Sequence, residues 1–166
     1  MPFKHKEMVE ICKKREGFSA DAYYLQATFL SPMPPESSSR RCLVQHHTLL
    51  KEDEAAAAAA VATQSKYGCK VGPVEEELVR PIPPRELALP FRSNYAVLQK
   101  VDAYDNGAWW VGRVLGENDD GCYYVVRLDI DGFDVSVPFF LLRNHLQWRD
   151  GEWFHPPPSR RYVPAD

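Results

Sequence analysis

Three groups of residues could do chemistry: the adjacent pair His46 and His47, four cysteines, and a set of aromatic rings close to carboxylates. The histidines lie on Arg41–His46 and just past it, a segment that reads as a strand, so neighbours face opposite sides and cannot work as an acid–base pair. Cys12, Cys42, Cys69 and Cys122 show no C-x-x-C spacing. A zinc site combining them with His46 and His47 is conceivable, but scattered structural thiols are the favoured reading. No Gly-rich phosphate loop, G-x-S-x-G or H-E-x-x-H stretch occurs. An enzyme is therefore not expected, nor a metal or other cofactor. The rings remain. An aromatic face attracts a cation by about 0.5–2 kcal/mol per contact, depending on desolvation. A methylated ammonium keeps its charge while losing donors and water, so it suits such a face.

The elements that must position these rings are short strands. Met8–Lys13 alternates apolar and polar residues and is followed by a turn at Glu16-Gly17. Tyr23–Leu30 and Arg41–His46 read as further strands, and Glu77–Pro81 closes the set before Pro83 and Pro84. The pattern then repeats. Lys100–Tyr104 alternates, Asp105-Asn106-Gly107 turns, and Trp109–Val114, Cys122–Leu128, Phe133–Val137 and Leu141–Arg143 follow. The expected fold is all-β: two small antiparallel barrels in tandem, over residues 1–86 and 87–154, joined near Pro84–Pro90, with an extended tail over 155–166. Two insertions interrupt the first copy, a Pro/Ser loop at 31–39 and an alanine run at Ala55–Ala60 that reads as a short helix or a low-complexity loop.

Composition narrows the partners. The chain has 166 residues, 26% of them charged, and a formal net charge of −3. That balance, with a pI near 6.0, disfavours nucleic acid as primary ligand, because a duplex-binding surface is normally basic. A basic peptide fits better. No run of about 18 apolar residues is present to cross a bilayer, and Met1–Lys6 lacks the apolar core of a secretory signal. A monomer is expected, and the abrupt ends fit a piece of a longer protein.

The second copy carries a specific likeness. Val101-Asp102-Ala103-Tyr104 followed by Gly107–Gly112, and Leu141–His145 with Gln147-Trp148 and Asp150–Trp153, resemble the opening and closing of an Agenet domain, the plant branch of the Tudor-like group. Glu16-Gly17-Phe18 with Tyr23-Tyr24, Val44–Leu50 with Glu52-Asp53, and Val79–Pro84 resemble a first copy. The resemblance covers residues 3–153. It implies paired barrels in the nucleus that bind a methylated lysine of the histone H3 tail, in the manner of plant heterochromatin readers of lysine nine, with the dimethyl form favoured.

Strand parity suggests which rings are free. Val101 and Ala103 share one face, leaving Asp102 and Tyr104 on the other. Tyr23 falls with Leu25, Ala27 and Phe29, leaving Tyr24 beside Gln26, although a bulge would reverse the pair. On the Tudor pattern, Tyr24 and Trp110 take the second-strand cage position, and His46 takes the third-strand position where the second copy has Leu128. The favoured cage is therefore in the first copy, from Phe18, Tyr23, Tyr24, His46 and Asp21. The alternative, in the second, uses Tyr104, Trp110 and Asp129. Glu52, Asp53, Glu75, Glu76, Glu77 and Asp102 are expected to hold basic residues of the tail, or else to be a solvated face. Trp109, Tyr123, Trp148 and Trp153 are expected in the core. Single-stranded nucleic-acid binding by base stacking and a methylation-independent protein scaffold remain the rival functions.

Overall fold

The computed structural model describes residues 3–34, 39–47, 70–90, 94–118 and 121–156. Glu52, Asp53 and the alanine run lie outside these residues, as do the centre of the Pro/Ser loop and the tail beyond Pro156.

Each half is built from five strands in the same order. The first has β1 (Met8–Lys14), β2 (Asp21–Pro32), β3 (Arg41–His46), β4 (Lys70–Glu75) and, after a 3₁₀ turn at Glu76–Leu78, β5 (Val79–Pro81). A single helical turn, α1 (Arg85–Ala88), occupies the proline-rich join. The second half repeats the plan with β6 (Lys100–Asp105), β7 (Ala108–Asn118), β8 (Tyr123–Leu128), β9 (Asp134–Pro138), a 3₁₀ turn at Phe139–Leu141 and β10 (Leu142–Asn144). A hairpin of β11 (Gln147–Arg149) and β12 (Glu152–Phe154) follows. The all-β antiparallel tandem expected from the sequence is what forms. Sequence periodicity missed β4, which carries Gly72 and Pro73, and also the two three-residue strands of the last hairpin.

The halves differ from the expected closed barrels. The pairing path does not close within either half: β4 pairs only with β3, and β9 only with β8. Instead the halves share one ten-stranded sheet, because β2 pairs with β7 through Tyr23–Trp110, Tyr24–Trp109 and Leu25–Ala108. The register is symmetric about the Tyr24–Trp109 pair. Val9, Ile11, Leu25, Ala27, Phe29, Cys42 and Val44 form one apolar core, and Tyr95, Val101, Ala103, Val114, Tyr124 and Val126 form the other. Asn106 (φ 52°) and Gly107 (φ 78°) make the two-residue β6–β7 turn, a type I′ geometry that the Asn-Gly dipeptide favours.

The polar face of β1 and β6 is not solvated. Glu10 and Asp102 are both fully buried, because that face of each half is pressed against the other half. Glu10 Oε1 accepts from Arg80 Nε at 3.1 Å and Nη2 at 2.9 Å, and from Arg143 Nη2 at 2.9 Å. Glu10 Oε2 accepts from Arg143 Nη1 at 2.7 Å. Arg143 Nε donates to Asp102 Oδ2 at 2.8 Å, and Asp102 Oδ1 accepts from His145 Nδ1 at 2.8 Å. Arg80 Nη1 donates to the Leu146 carbonyl at 2.7 Å. Asp102 is thus fully engaged in this cluster, and its expected role as a contact for a bound tail is withdrawn.

Burial alone would raise the Asp102 pKa, but the hydrogen bond and charge of His145 and the charge of Arg143 outweigh it and hold the carboxyl below its usual range. A depressed folded pKa contributes stability above the unfolded value, near 3.9, that is lost as pH falls through the folded one. Unfolding free energy from urea titrations should therefore decline as pH drops below about 4, and Asp102→Asn should flatten that decline. Arg143→Ala leaves two carboxylates buried with one guanidinium; we expect it to cost about 3–5 kcal/mol at neutral pH in the same titrations.

Candidate functional site

The rings expected to form the first cage do not converge. Tyr24 pairs with Cys12 and lies on the buried inter-half face, whereas Ala27 pairs with His46 on the opposite face of β2. Tyr24 and His46 therefore cannot line one hole. The Tyr24 ring is also occupied, since the Arg80 guanidinium carbon stands 3.6 Å from its centroid. Its hydroxyl donates to Asp21 at 3.0 Å, which accounts for that acid. Burial pushes the Tyr24 phenol far above its ordinary pKa. Phe18, on the exposed β1–β2 turn, carries Arg15 over its ring at 4.8 Å. Tyr23 stacks on Trp110 at 4.6 Å, across the β2–β7 pair.

Register also changes which residues correspond. Cys12 pairs with Tyr24 as Tyr104 pairs with Trp109, so Tyr24 and Trp109 are equivalent, and Leu25 is the counterpart of Trp110. Arg80 over Tyr24 is matched by Arg143 over Trp109 at 4.2 Å. The equivalence of His46 with Leu128 holds, through Ala27–His46 and Gly112–Leu128. The first half thus has a leucine where the second presents an indole.

That indole borders a cavity of about 290 Å³ in the second half, lined by Ala103, Tyr104, Asp105, Trp110, Leu128, Val135, Ser136, Val137, Pro138 and Leu141. Trp110 Nε1 donates to the Asp105 carbonyl at 2.9 Å, fixing the ring across the β6–β7 turn. Strand parity puts Asp105 and Trp110 on one face. Tyr104 stands at the rim, its ring set edge-on to Trp109 at 5.1 Å. Asp129 is not among the lining residues and pairs with Lys100 at 3.6 Å. Asp105 is the acid that sequence reasoning missed, although it directly follows Tyr104 and opens the turn.

No family model matches the chain. The tandem Agenet domain 3-4 of ADCP1 superimposes with a TM-score of 0.65 at 21% identity, covering 93% of this chain and 88% of that one. The fold is that of a tandem Agenet domain. The AGD34 segment of Arabidopsis thaliana AGDP1 gives the same TM-score at 22% identity, covering 93% and 90%. DUF724 domain-containing protein 3 of Arabidopsis thaliana is 31% identical over 86 residues, which is 50% of this chain and 12% of that protein's length.

A second, larger cleft of about 600 Å³ lies between the halves of this tandem fold. Phe3, Ser39, Arg40, Glu75, Glu76, Glu77 and Val79 line it from the first half, and Trp148 and Asp150 from the second. The acidic run expected to contact a basic peptide thus borders a cleft rather than an isolated convex face. Trp148 and Trp153 pack on each other at 5.0 Å and are half-buried, whereas Tyr123, expected in the core, is exposed.

Tyr24→Ala tests the reassignment of that ring. Removing a fully buried aromatic should cost about 3–5 kcal/mol of stability, read as a lowered urea midpoint. Tyr104→Ala, at a rim, should cost clearly less in the same measurement.

Proposed function

We propose that this chain is a nuclear chromatin reader that takes a methylated lysine of the histone H3 tail into the second-half cavity. The observation that carries the reading is Trp110 beside Asp105 over an apolar-walled hole of about 290 Å³. The indole supplies a π face to the cation. Leu128, Leu141 and Val137 receive the methyl groups and stem. Asp105 favours the dimethyl form, because dimethyl-lysine keeps one N–H to donate to a carboxylate and trimethyl-lysine keeps none. Glu75, Glu76, Glu77 and Asp150 offer carboxylates to the neighbouring basic residues of the tail. The lysine is taken to be lysine nine, on the resemblance to tandem Agenet readers. The site is the alternative one of the sequence reading with Asp105 in place of Asp129, because the first-half rings do not converge and Tyr24 is already covered by Arg80.

Calorimetric titration with H3 tail peptides bearing un-, mono-, di- and trimethylated lysine nine tests this. The dimethyl peptide should bind in the micromolar range, roughly −8 kcal/mol, and above the unmodified one. Trp110→Leu, which installs the residue that the first half carries at the equivalent position, should weaken binding by about 2- to 30-fold and erase the preference for methylation. Equal affinity for all four peptides, or a Trp110→Leu protein that still discriminates among them, would remove the assignment.

A further inference from the structure

The cavity runs along an unpaired strand edge. Four of the five residues of β9, Val135 to Pro138, line it, and β9 has only β8 as a neighbour. Which backbone groups of β9 face outward follows from the ladder. Leu128 N–H donates to the Phe133 carbonyl at 2.9 Å and Phe139 N–H to the Cys122 carbonyl at 3.0 Å. Both pairs share the β8–β9 register. Hydrogen-bonded and non-bonded pairs alternate in an antiparallel ladder, so Val135 and Val137 bond to β8 while Asp134, Ser136 and Pro138 point away. Pro138 lacks an N–H and sits where none is used. Among the described residues no backbone hydrogen bond is made to the outer side of Ser136.

The first half provides an internal contrast. Glu76 N–H donates to the Arg40 carbonyl at 2.9 Å, in register with β3–β4, so Val71, Pro73 and Glu75 face outward from β4. Counting back from the two 3₁₀ turns, Pro73 occupies the position of Ser136. Proline at the centre of an edge is a device that blocks strand addition. One edge is blunted. The other keeps a donor and an acceptor beside a cavity that ends on an indole and a carboxylate.

We infer that β9 binds its ligand by strand addition: an extended basic peptide pairs antiparallel with the outer edge through the Ser136 N–H and carbonyl, and sends one side chain into the Trp110 cavity. Alternate side chains of such a strand project to opposite sides, so the residues flanking the inserted one point away from it. The charge suits a basic strand. Arg127 is paired with Asp134 at 2.8 and 3.2 Å and Lys100 with Asp129 at 3.6 Å, and Asp105 is the one charged side chain among the residues that line the cavity. That the inserted side chain is a methylated lysine rests on the reading of the preceding subsection; the strand pairing does not.

The test follows amide exchange at Ser136 by NMR while titrating the dimethylated H3 peptide, with a parallel series of peptides N-methylated at one backbone position each. Strand addition predicts at least tenfold slower exchange at Ser136 on saturation, and affinity losses that recur at every second peptide position. Ser136→Pro should weaken binding by about 3- to 10-fold with the Trp110 dependence intact. Methyl-sensitive binding that tolerates every N-methyl position and leaves Ser136 exchange unchanged would overturn the strand pairing alone. An unmethylated peptide that protects Ser136 equally well would retain the pairing and remove the methyl-lysine assignment. Protection that grows with protein concentration in the absence of peptide would give the edge to a second copy of the chain and overturn the proposal.

Discussion

The tandem arrangement depends on a buried ionic cluster between its halves. Glu10 and Asp102 sit at corresponding positions of β1 and β6, each across from an arginine at the corresponding position of β5 and β10. Such ions are expensive to bury singly, and the cost is offset only when each is paired and hydrogen-bonded. Here no half is self-sufficient. Glu10 of the first half receives three donor atoms from its own Arg80 and Arg143 of the second combined at 2.9 Å or less, or four when the 3.1 Å contact is included. Pulling the halves apart would strand Arg143 between one carboxylate and an apolar face. The two halves are thereby held in one relative placement.

The same cluster explains why the repeat is not used twice. On the inter-half face Tyr24 and Trp109 lie at the centre of the β2–β7 pairing, and each is covered by an arginine. Cation–π attraction is present in the structure, but there it is satisfied internally. Away from that pairing the copies diverge: Leu25 against Trp110 on the second strand and His46 against Leu128 on the third, with Pro73 against Ser136 on the edge of the fourth. Each substitution moves the second half toward an open apolar hole with a ring at its wall. The first half moves toward a closed core with a blunted edge.

Much of this was legible in the residues. Period-two alternation, the Asn-Gly turn and the closing Leu-Val-Arg and Leu-Leu-Arg segments located nine of the ten main strands to within a few residues, and the repeat placed the halves in register. The assignment of parity to Tyr24 and Asp102 was also sound, since both do face away from Val101-like positions. The inference that failed was that facing away from the local core means facing solvent. A sheet with two buried faces gives no such licence, and the sequence hint was the pair of closing arginines, which need buried carboxylates once the halves dock. The choice of Trp110 over Trp109 as partner of Tyr24 failed for a different reason. Adjacent aromatics differ by one in register, and only the cross-strand pairing resolves which of two neighbours faces which way.

Aromatic rings near cations therefore have two meanings in this fold, separated by what already covers them. Arg80 and Arg143 rigidly cap Tyr24 and Trp109, a contact buried from water and worth more for that reason. Trp110 is held in place from behind by Tyr23 and from the side by the Asp105 carbonyl, and among the described residues it has no internal guanidinium over it. Its support is the kind a binding surface needs, because a ring already immobilised loses little conformational freedom when a ligand arrives. The rigidity traces back to the β2–β7 pairing, which joins the same two halves that the ionic cluster holds together. Stability of the tandem and readiness of its half-buried indole are then coupled through four charged residues, none of which lines the cavity.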